Sequence, residues 1–386
     1  MPARRTFLAS TAALSAAAAL SPRLFAAGTD EKKKLGYALV GLGRLSTNQL
    51  APALEKTEHA KLAAVVSGTP SKRDKWRAKY DLGDHVYTYE QFDRLADDDA
   101  VDVIYIVLPN GLHAEYTIRG AETGKHVFCE KPMANTAEEC RQMIAACEKA
   151  DVKLGIGYRC QFEPHHLKAM ETVRSGGLGE LRGLGAGFGF KMPADADPDQ
   201  KLHWRLNREL AGGGPLMDVG IYALQFCRYM TGREPISVTA QTTLTESIKF
   251  RQVEETLGWT MTFPSVLESE AKERNLPEPL RAQVTASCAT TYNFGGFNQG
   301  EAFGEKGSVL LKPAYSYSGL DGSVKGEPMN LDTPDQFAVE IDAFSQSVKQ
   351  KSPFKCPGEE GLRDLLAIEA IYQAAETGRR VEVAQL

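Results

Sequence analysis

The 386-residue sequence has no surplus of positive charge: 45 Lys and Arg stand against 50 Asp and Glu, a formal charge of −5. Clustered cations are what attract phosphate backbones, so no nucleic acid partner is expected. No uninterrupted apolar run of about 20 residues follows residue 27, so no membrane span is expected in the mature chain. Cysteine is sparse and unpatterned. Cys129, Cys140, Cys147, Cys160, Cys227, Cys288 and Cys356 make an odd count with no C-x-x-C pair and no metal-ligand spacing. That argues against a disulfide scaffold and against a resident metal. There is no internal repeat, and no low-complexity tract beyond the first thirty residues. What remains is a soluble globular chain with ordinary hydrophobic (42 %) and charged (25 %) fractions. It is long enough for two domains, each burying its own core.

The N-terminus reads as a targeting segment. Arg4-Arg5-Thr6-Phe7-Leu8 precedes an Ala/Leu/Ser run to Leu20, with small residues at Ala26-Ala27-Gly28. A charged region, an apolar region and a cleavage site in that order make an export signal, and the arginine pair points to the twin-arginine machinery. The expectation is that residues 1–28 are removed, residues 29–34 form a short arm, and the mature protein works in the periplasm. This route carries folded proteins, so an enzyme can take a cofactor with it.

From Leu35 to Tyr158 strands and helices alternate. Leu35–Val40, Lys61–Val66, Val101–Leu108, His126–Cys129 and Lys153–Gly157 read as strands. Helices fall between them, the one from Thr136 opening on a Thr136-x-x-Glu139 capping box. Such alternation implies right-handed crossovers and a doubly wound parallel sheet, a Rossmann-type domain over 35–158. Beyond it the texture changes to strands in succession, at Leu181–Phe190, Ser237–Leu244, Glu255–Phe263, Gln283–Thr290 and Ser308–Leu311, with two helices last. The expected fold class is α/β: this Rossmann sheet plus a C-terminal α+β domain, 159–386, with a large, mostly antiparallel open sheet.

Three segments carry chemistry. Gly41-Leu42-Gly43-Arg44-Leu45-Ser46 lies between the first strand and first helix, where a dinucleotide turn belongs, although Ser46 replaces the third glycine. The second strand ends in Ser67-Gly68 with no acid, followed by Lys72 and Arg73; a hydroxyl and two cations suit the 2′-phosphate of NADP. Leu108-Pro109-Asn110 with His113, and Glu130-Lys131-Pro132, sit at strand carboxyl ends facing one crevice. Finally Gly212-Gly213-Gly214 leads into a helix bearing Asp218 and Tyr222, four residues apart on one face. The glycines are read as permitting close approach to a ligand. Lys131, Asp218 and Tyr222 form an acid/base set for carbonyl–alcohol chemistry.

In these three landmarks the chain resembles the Gfo/Idh/MocA oxidoreductase family. Gly157-Tyr158-Arg159-Cys160, Trp204-Arg205-Leu206 and Pro357-Gly358-Glu359-Glu360-Gly361 resemble its glucose–fructose and aldose–aldose oxidoreductase subgroup. The resemblance implies a tightly bound NADP(H) and two half-reactions, one sugar oxidised and another reduced. It makes Lys131 and Tyr222 the catalytic pair, with Lys131 lowering the phenol's pKa, and Asp218 the group that orients the sugar. Gly41 to Leu45, Ser67, Gly68, Lys72, Arg73, Leu108, Pro109, Asn110, His113, Glu130 and Arg159 fall to the cofactor, with Trp204 and Arg205 reaching over it. The short arm and the open sheet face point to a homodimer. Two other readings stay open: a dehydrogenase using free NAD(P), and a non-catalytic NADP- or sugar-binding protein.

Overall fold

A computed structural model of the chain describes residues 34–193, 203–264 and 283–386. The segment read as an export signal, and its arm as far as Lys33, lie outside them. Strands β1 (Leu35–Val40), β2 (Ala60–Val66), β3 (Val86–Tyr87), β4 (Val103–Ile106), β5 (His126–Glu130) and β6 (Leu154–Gly157) form a parallel sheet in the order β3-β2-β1-β4-β5-β6. Their near-continuous apolar runs follow from burial on both faces, as parallel sheets require. The order reverses at β1, which puts a crevice at its carboxyl end. Helices α1 (Ala51–Lys56), α2 (Pro70–Tyr80), α3 (His113–Glu122) and α4 (Ala137–Lys149) lie between the strands. The α4 capping box forms as read: Thr136 Oγ1 accepts from the Glu139 N–H at 3.1 Å, and Glu139 Oε2 from the Thr136 N–H at 3.0 Å. A widened π-turn, Ser46–Leu50, precedes α1.

The later residues add α5 (Pro164–Arg174), β7 (Leu181–Gly189), α6 (Arg208–Ala211), α7 (Ile221–Thr231), β8 (Ser237–Thr243), β9 (Thr256–Pro264) and β10 (Gln283–Thr291). Then come β11 (Asn298–Gly304), β12 (Gly307–Leu311), β13 (Gly322–Val324), β14 (Glu327–Pro328), α8 (Gln336–Gln350), α9 (Gly358–Thr377) and β15 (Val381–Glu382). The strands make one sheet, β14-β13-β12-β11-β7-β10-β9-β8-β15, antiparallel except where β7 meets β10. Alternation sets its faces. Leu257, Trp259, Met261 and Phe263 of β9 are buried, while Thr239, Gln241, Thr285 and Ser287 of the flanking strands are exposed on the other face.

One helix crosses the division at residue 158. α8 packs on the parallel sheet: Phe344 stacks on Phe128 with ring centroids 4.9 Å apart, and the Tyr37 hydroxyl lies 2.8 Å from Ser345 Oγ. Asp342 accepts from the Glu58 and His59 N–H groups at 2.9 and 2.8 Å. The loops at the sheet's carboxyl end are tied to the later segment as well, since Asn110 Nδ2 donates to the Ala211 carbonyl (2.9 Å) and Asn135 Nδ2 to that of Glu209 (2.8 Å).

Candidate functional site

The glycine turn after β1 is built for close approach. Gly41 has φ +98°, and a Cβ there would meet the Val107 carbonyl oxygen at 2.5 Å, so both conformation and space demand glycine. Gly43 differs: a Cβ would touch nothing within 4 Å. Among the described residues no atom requires a glycine at that position, and Gly43 lines a cavity of about 490 Å³. Ser46, where a third glycine was expected, is buried and donates its hydroxyl to the Gly41 carbonyl at 2.5 Å, closing the turn.

That cavity is lined by nearly every residue singled out in the sequence: Gly41 to Leu45, Ser67, Gly68, Lys72, Leu108 to Asn110, His113, Glu130, Lys131, Arg159, Trp204, Arg205, Asp218 and Tyr222. Arg73 is absent from the lining. It donates to the Ser67 carbonyl at 2.6 Å and so shapes the loop after β2. Lys72 lines the cavity and donates to the Leu42 carbonyl at 3.0 Å, bridging that loop to the glycine turn. His113 has ring nitrogens 2.9 and 2.8 Å from the Pro132 and Leu108 carbonyls, so its N–H ties the ring to one of the two loops it lies between. Burial keeps its pKa below the usual histidine value. A cavity with an unobstructed glycine at Gly43, and with Ser67, Thr69 and Lys72 and no carboxylate at the end of β2, fits a dinucleotide carrying a 2′-phosphate.

A second cavity, of about 540 Å³, shares the wall formed by Lys131, Arg159, Arg205, Asp218 and Tyr222. No motif marks it in advance. Its other walls are Phe188 and Phe190 from the end of β7, Tyr315 and Tyr317 from the loop after β12, and Asn48 and Gln49 from the π-turn. Only alternation along β7 and the Tyr315-Ser316-Tyr317 spacing could have suggested an aromatic wall.

Asp218 lies in a second π-turn, Leu216–Gly220, which runs into α7, and Tyr222 is the second residue of that helix. Both still face the shared wall. Asp218 Oδ2 accepts from Arg205 Nε at 2.7 Å and from the Tyr292 hydroxyl at 3.1 Å. Burial alone would raise this carboxyl, but Arg205 and then Lys131 hold it below the usual value, so it is ionised. Lys131 Nζ donates to the Asp218 carbonyl at 2.6 Å, lies 3.8 Å from Oδ1, and sits 4.8 Å from the Tyr222 ring centroid. Glu130 points away behind it, accepting from the Tyr105 hydroxyl at 2.8 Å.

Two sequence readings need correction. The Gly212–Gly214 run makes room for protein, not ligand: a Cβ at Gly213 would lie 2.0 Å from the Tyr372 hydroxyl, and one at Gly214 2.3 Å from the Glu254 carbonyl. The half-buried Glu254 carboxyl accepts from the Gly214 and Leu216 N–H groups at 2.8 and 3.0 Å and from Tyr372 at 2.9 Å, fixing the approach to α7. Tyr222, expected to have a lowered pKa through Lys131, is raised above the ordinary phenol value by burial, and the largest opposing charge is Arg159.

Comparison with known proteins agrees with this architecture. Family models match at residues 35–158 (oxidoreductase family, NAD-binding Rossmann fold), 166–310 (GFO/IDH/MocA C-terminal domain) and 304–383 (oxidoreductase family, C-terminal alpha/beta domain). Aldose-aldose oxidoreductase from Caulobacter crescentus, solved with glycerol, is 41 % identical with a TM-score of 0.81, covering 91 % of this chain and 100 % of that one. The NADP(+) D-xylose 1-dehydrogenase of Haloarcula marismortui is 30 % identical over 90 % of this chain and 92 % of its own. A second such dehydrogenase, from Haloferax volcanii, is 31 % identical over 90 % and 99 %. With its sheets, its glycine turn and its Lys131–Asp218–Tyr222 wall in place, the chain belongs to the Gfo/Idh/MocA oxidoreductase family.

Proposed function

We propose that the protein is an exported, periplasmic sugar oxidoreductase that retains NADP(H), oxidises an aldose at C1 to the aldonolactone, and reduces a second sugar to the alditol in a ping-pong cycle. The observation that carries this reading is the shared wall, where Tyr222, Lys131 and Asp218 stand between the cavity at the glycine turn and the aromatic one. Likeness to an aldose–aldose oxidoreductase at 41 % identity supports it. Bound NADP supplies the hydride acceptor in one half and the donor in the other.

The chain's own residues supply the rest. Aromatic faces at Phe188, Phe190 and Tyr317 stack on the C–H faces of a sugar ring. Asp218 Oδ1, the less committed of its two carboxylate oxygens, accepts from sugar hydroxyls and fixes the reacting geometry. Tyr222 takes the O1 proton as C1 is oxidised and returns a proton to the acceptor carbonyl in the second half. An exported enzyme leaves the cytosolic nicotinamide pool behind, so it turns over only if a second substrate regenerates its bound cofactor.

The two D-xylose dehydrogenases favour a second reading, an ordinary dehydrogenase that exchanges free NADP. Extensively dialysed protein separates them by its near-ultraviolet absorbance. The retained-cofactor reading expects stoichiometric NADP, reduced on adding glucose or xylose and reoxidised by a second sugar. Cofactor-free protein that needs added NADP for every turnover would establish the dehydrogenase.

A further inference from the structure

Three cations share the cavity wall with Tyr222, and they differ in what neutralises them. Lys131 and Arg205 both pair with Asp218, at 3.8 and 2.7 Å. Arg159, only 2 % exposed, makes no ion pair within 4 Å among the described residues. Its guanidinium is held by neutral oxygens: the Gln336 side chain at 2.5 Å, the Tyr315 carbonyl at 2.6 Å and the Ser316 carbonyl at 3.3 Å. Its Nε has no hydrogen-bond partner among the described residues, and its Cζ lies 4.8 Å from the Tyr222 ring centroid.

Two buried carboxyls stand behind it. Glu340 has both oxygens without a hydrogen-bond partner among the described residues, and burial pushes it well above the usual carboxylate range, so it holds its proton. Burial raises Glu130 as well, and its oxygens are already engaged by the Tyr105 hydroxyl and the Lys131 N–H. Arg159 is therefore fixed from α8 and the loop after β12 without an ion pair within 4 Å among the described residues, although Glu130 and the Cys160 thiol share its field.

We infer that Arg159 is the residue that lets Tyr222 act as a base: its immobilised guanidinium, not tied up in an ion pair, stabilises the phenolate, while Lys131 serves Asp218 and the substrate hydroxyl. The inference rests on Tyr222 being the base, as proposed above. The other groups facing this phenol are consistent with that division. Tyr315 stacks on it at 5.6 Å and Phe188 lies at 5.9 Å, both uncharged; Glu130 and Cys160 raise its pKa; Lys131 is already engaged by Asp218. A charge at this range in a partly desolvated site shifts a phenol by roughly one to two pH units.

The test compares wild type with Arg159→Gln, Arg159→Lys and Gln336→Leu, in single-turnover reduction of bound NADP by whichever alcohol or sugar the wild type oxidises. Arg159→Gln is expected to retain NADP, lower the maximal rate roughly 10–100-fold at neutral pH, leave half-saturation within about threefold, and move the acidic limb of the pH–rate profile up by roughly one to two units. Arg159→Lys should restore most of that shift, and Gln336→Leu, which frees the guanidinium, should move the limb in the same direction by less. Independently of turnover, difluorotyrosine at position 222, followed by fluorine NMR, should titrate at higher pH with Gln at 159.

An unmoved pH limb and an unmoved fluorine titration would overturn the inference, even if activity falls. So would loss of NADP as the sole effect, or a pH shift produced by Lys131→Met and not by Arg159→Gln. If only a non-sugar alcohol reduces the bound NADP, the sugar reading fails and the Arg159 comparison proceeds unchanged on that alcohol. If no alcohol reduces it, both readings are overturned.

Discussion

Arg205 Nε donates to Asp218 Oδ2 at 2.7 Å, so the short turn at Trp204–Leu206 and the π-turn before α7 are joined by one charged hydrogen bond. The bond leaves Oδ1 to face Lys131 and the cavity. Asp218→Asn keeps the shape but removes the charge that Arg205 and Lys131 answer. We expect kcat/KM for sugar to fall roughly 10–100-fold, the weight of a hydrogen bond to a charged group, with NADP content unchanged. Steady-state kinetics and cofactor extraction check this, and unaltered kcat/KM would remove Asp218 from the substrate site.

Tyr222→Phe should fold, bind NADP and lose activity by roughly 10²–10⁴-fold, as removal of a general base does. Near-wild-type reduction of bound cofactor by glucose in that variant would transfer the role to Lys131.

For cofactor choice, denaturing the purified protein should release NADP and not NAD, because Ser67, Thr69 and Lys72 line the cavity with no acid at the end of β2. Ser67→Asp combined with Lys72→Ala should invert the preference, placing a carboxylate where a ribose hydroxyl can donate to it. Extraction yielding only NAD from the wild type would refute the assignment.

At the head of α5, Glu163 is fully buried and lies 2.8 Å from His165 Nδ1, 2.9 Å from His166 Nδ1 and 2.9 Å from the His166 N–H. Burial alone would raise this carboxyl, but the His166 hydrogen bond and charge hold it at about 2. Its folded pKa lies below its ordinary 4.5, so its stabilisation is complete above that value and drains away as pH falls toward 2. His166 runs the opposite way: burial opposes its charge, yet Cys160 and Glu163 carry it to about 9, so its share is complete below 6.5 and lost as pH rises through 9. Glu163→Gln should lower Tm by on the order of 5 °C at neutral pH and by much less in strong acid. Calorimetry showing an equal loss at both would mean that packing, and not charge, holds this corner.

Along β8 and β10 the open face of the second sheet presents Thr239, Gln241, Thr285 and Ser287, exposed and without charge. Light scattering should report a homodimer, and Ser287→Arg should weaken it. A monomeric wild type at micromolar concentration would contradict the expectation.

How much of this could be read from the chain differs from element to element. β1, β2 and β4 announce themselves because both faces are buried, and the capping box of α4 is a local device that needs no tertiary help. β11 was missed because Asn298-Gln-Gly-Glu-Ala-Phe-Gly304 has no strand-like apolar pattern. Its inward Gly300 is small because the Phe226 ring occupies the space, at 2.6 Å from where a Cβ would sit. The glycine run at 212–214 was legible as a close approach but not as to what, since its partners Glu254 and Tyr372 lie far along the chain. The aromatic cavity was invisible for the same reason: Phe188 and Tyr315 meet only once the second sheet has formed. Tyr222, Lys131 and Asp218 could be found early because motif spacing marks them, whereas Arg159 stands out only in three dimensions, where it makes no ion pair within 4 Å among the described residues and its Cζ lies 4.8 Å from the Tyr222 ring centroid.

The packing of α8 on the parallel sheet bears on how the protein is made. Tyr37 and Phe128, near the start of the chain, find Ser345 and Phe344 only when the last fifty or so residues have left the ribosome. Until then the face of the parallel sheet that α8 covers stays wet, and the core of the first half of the chain is completed only by its last long segments.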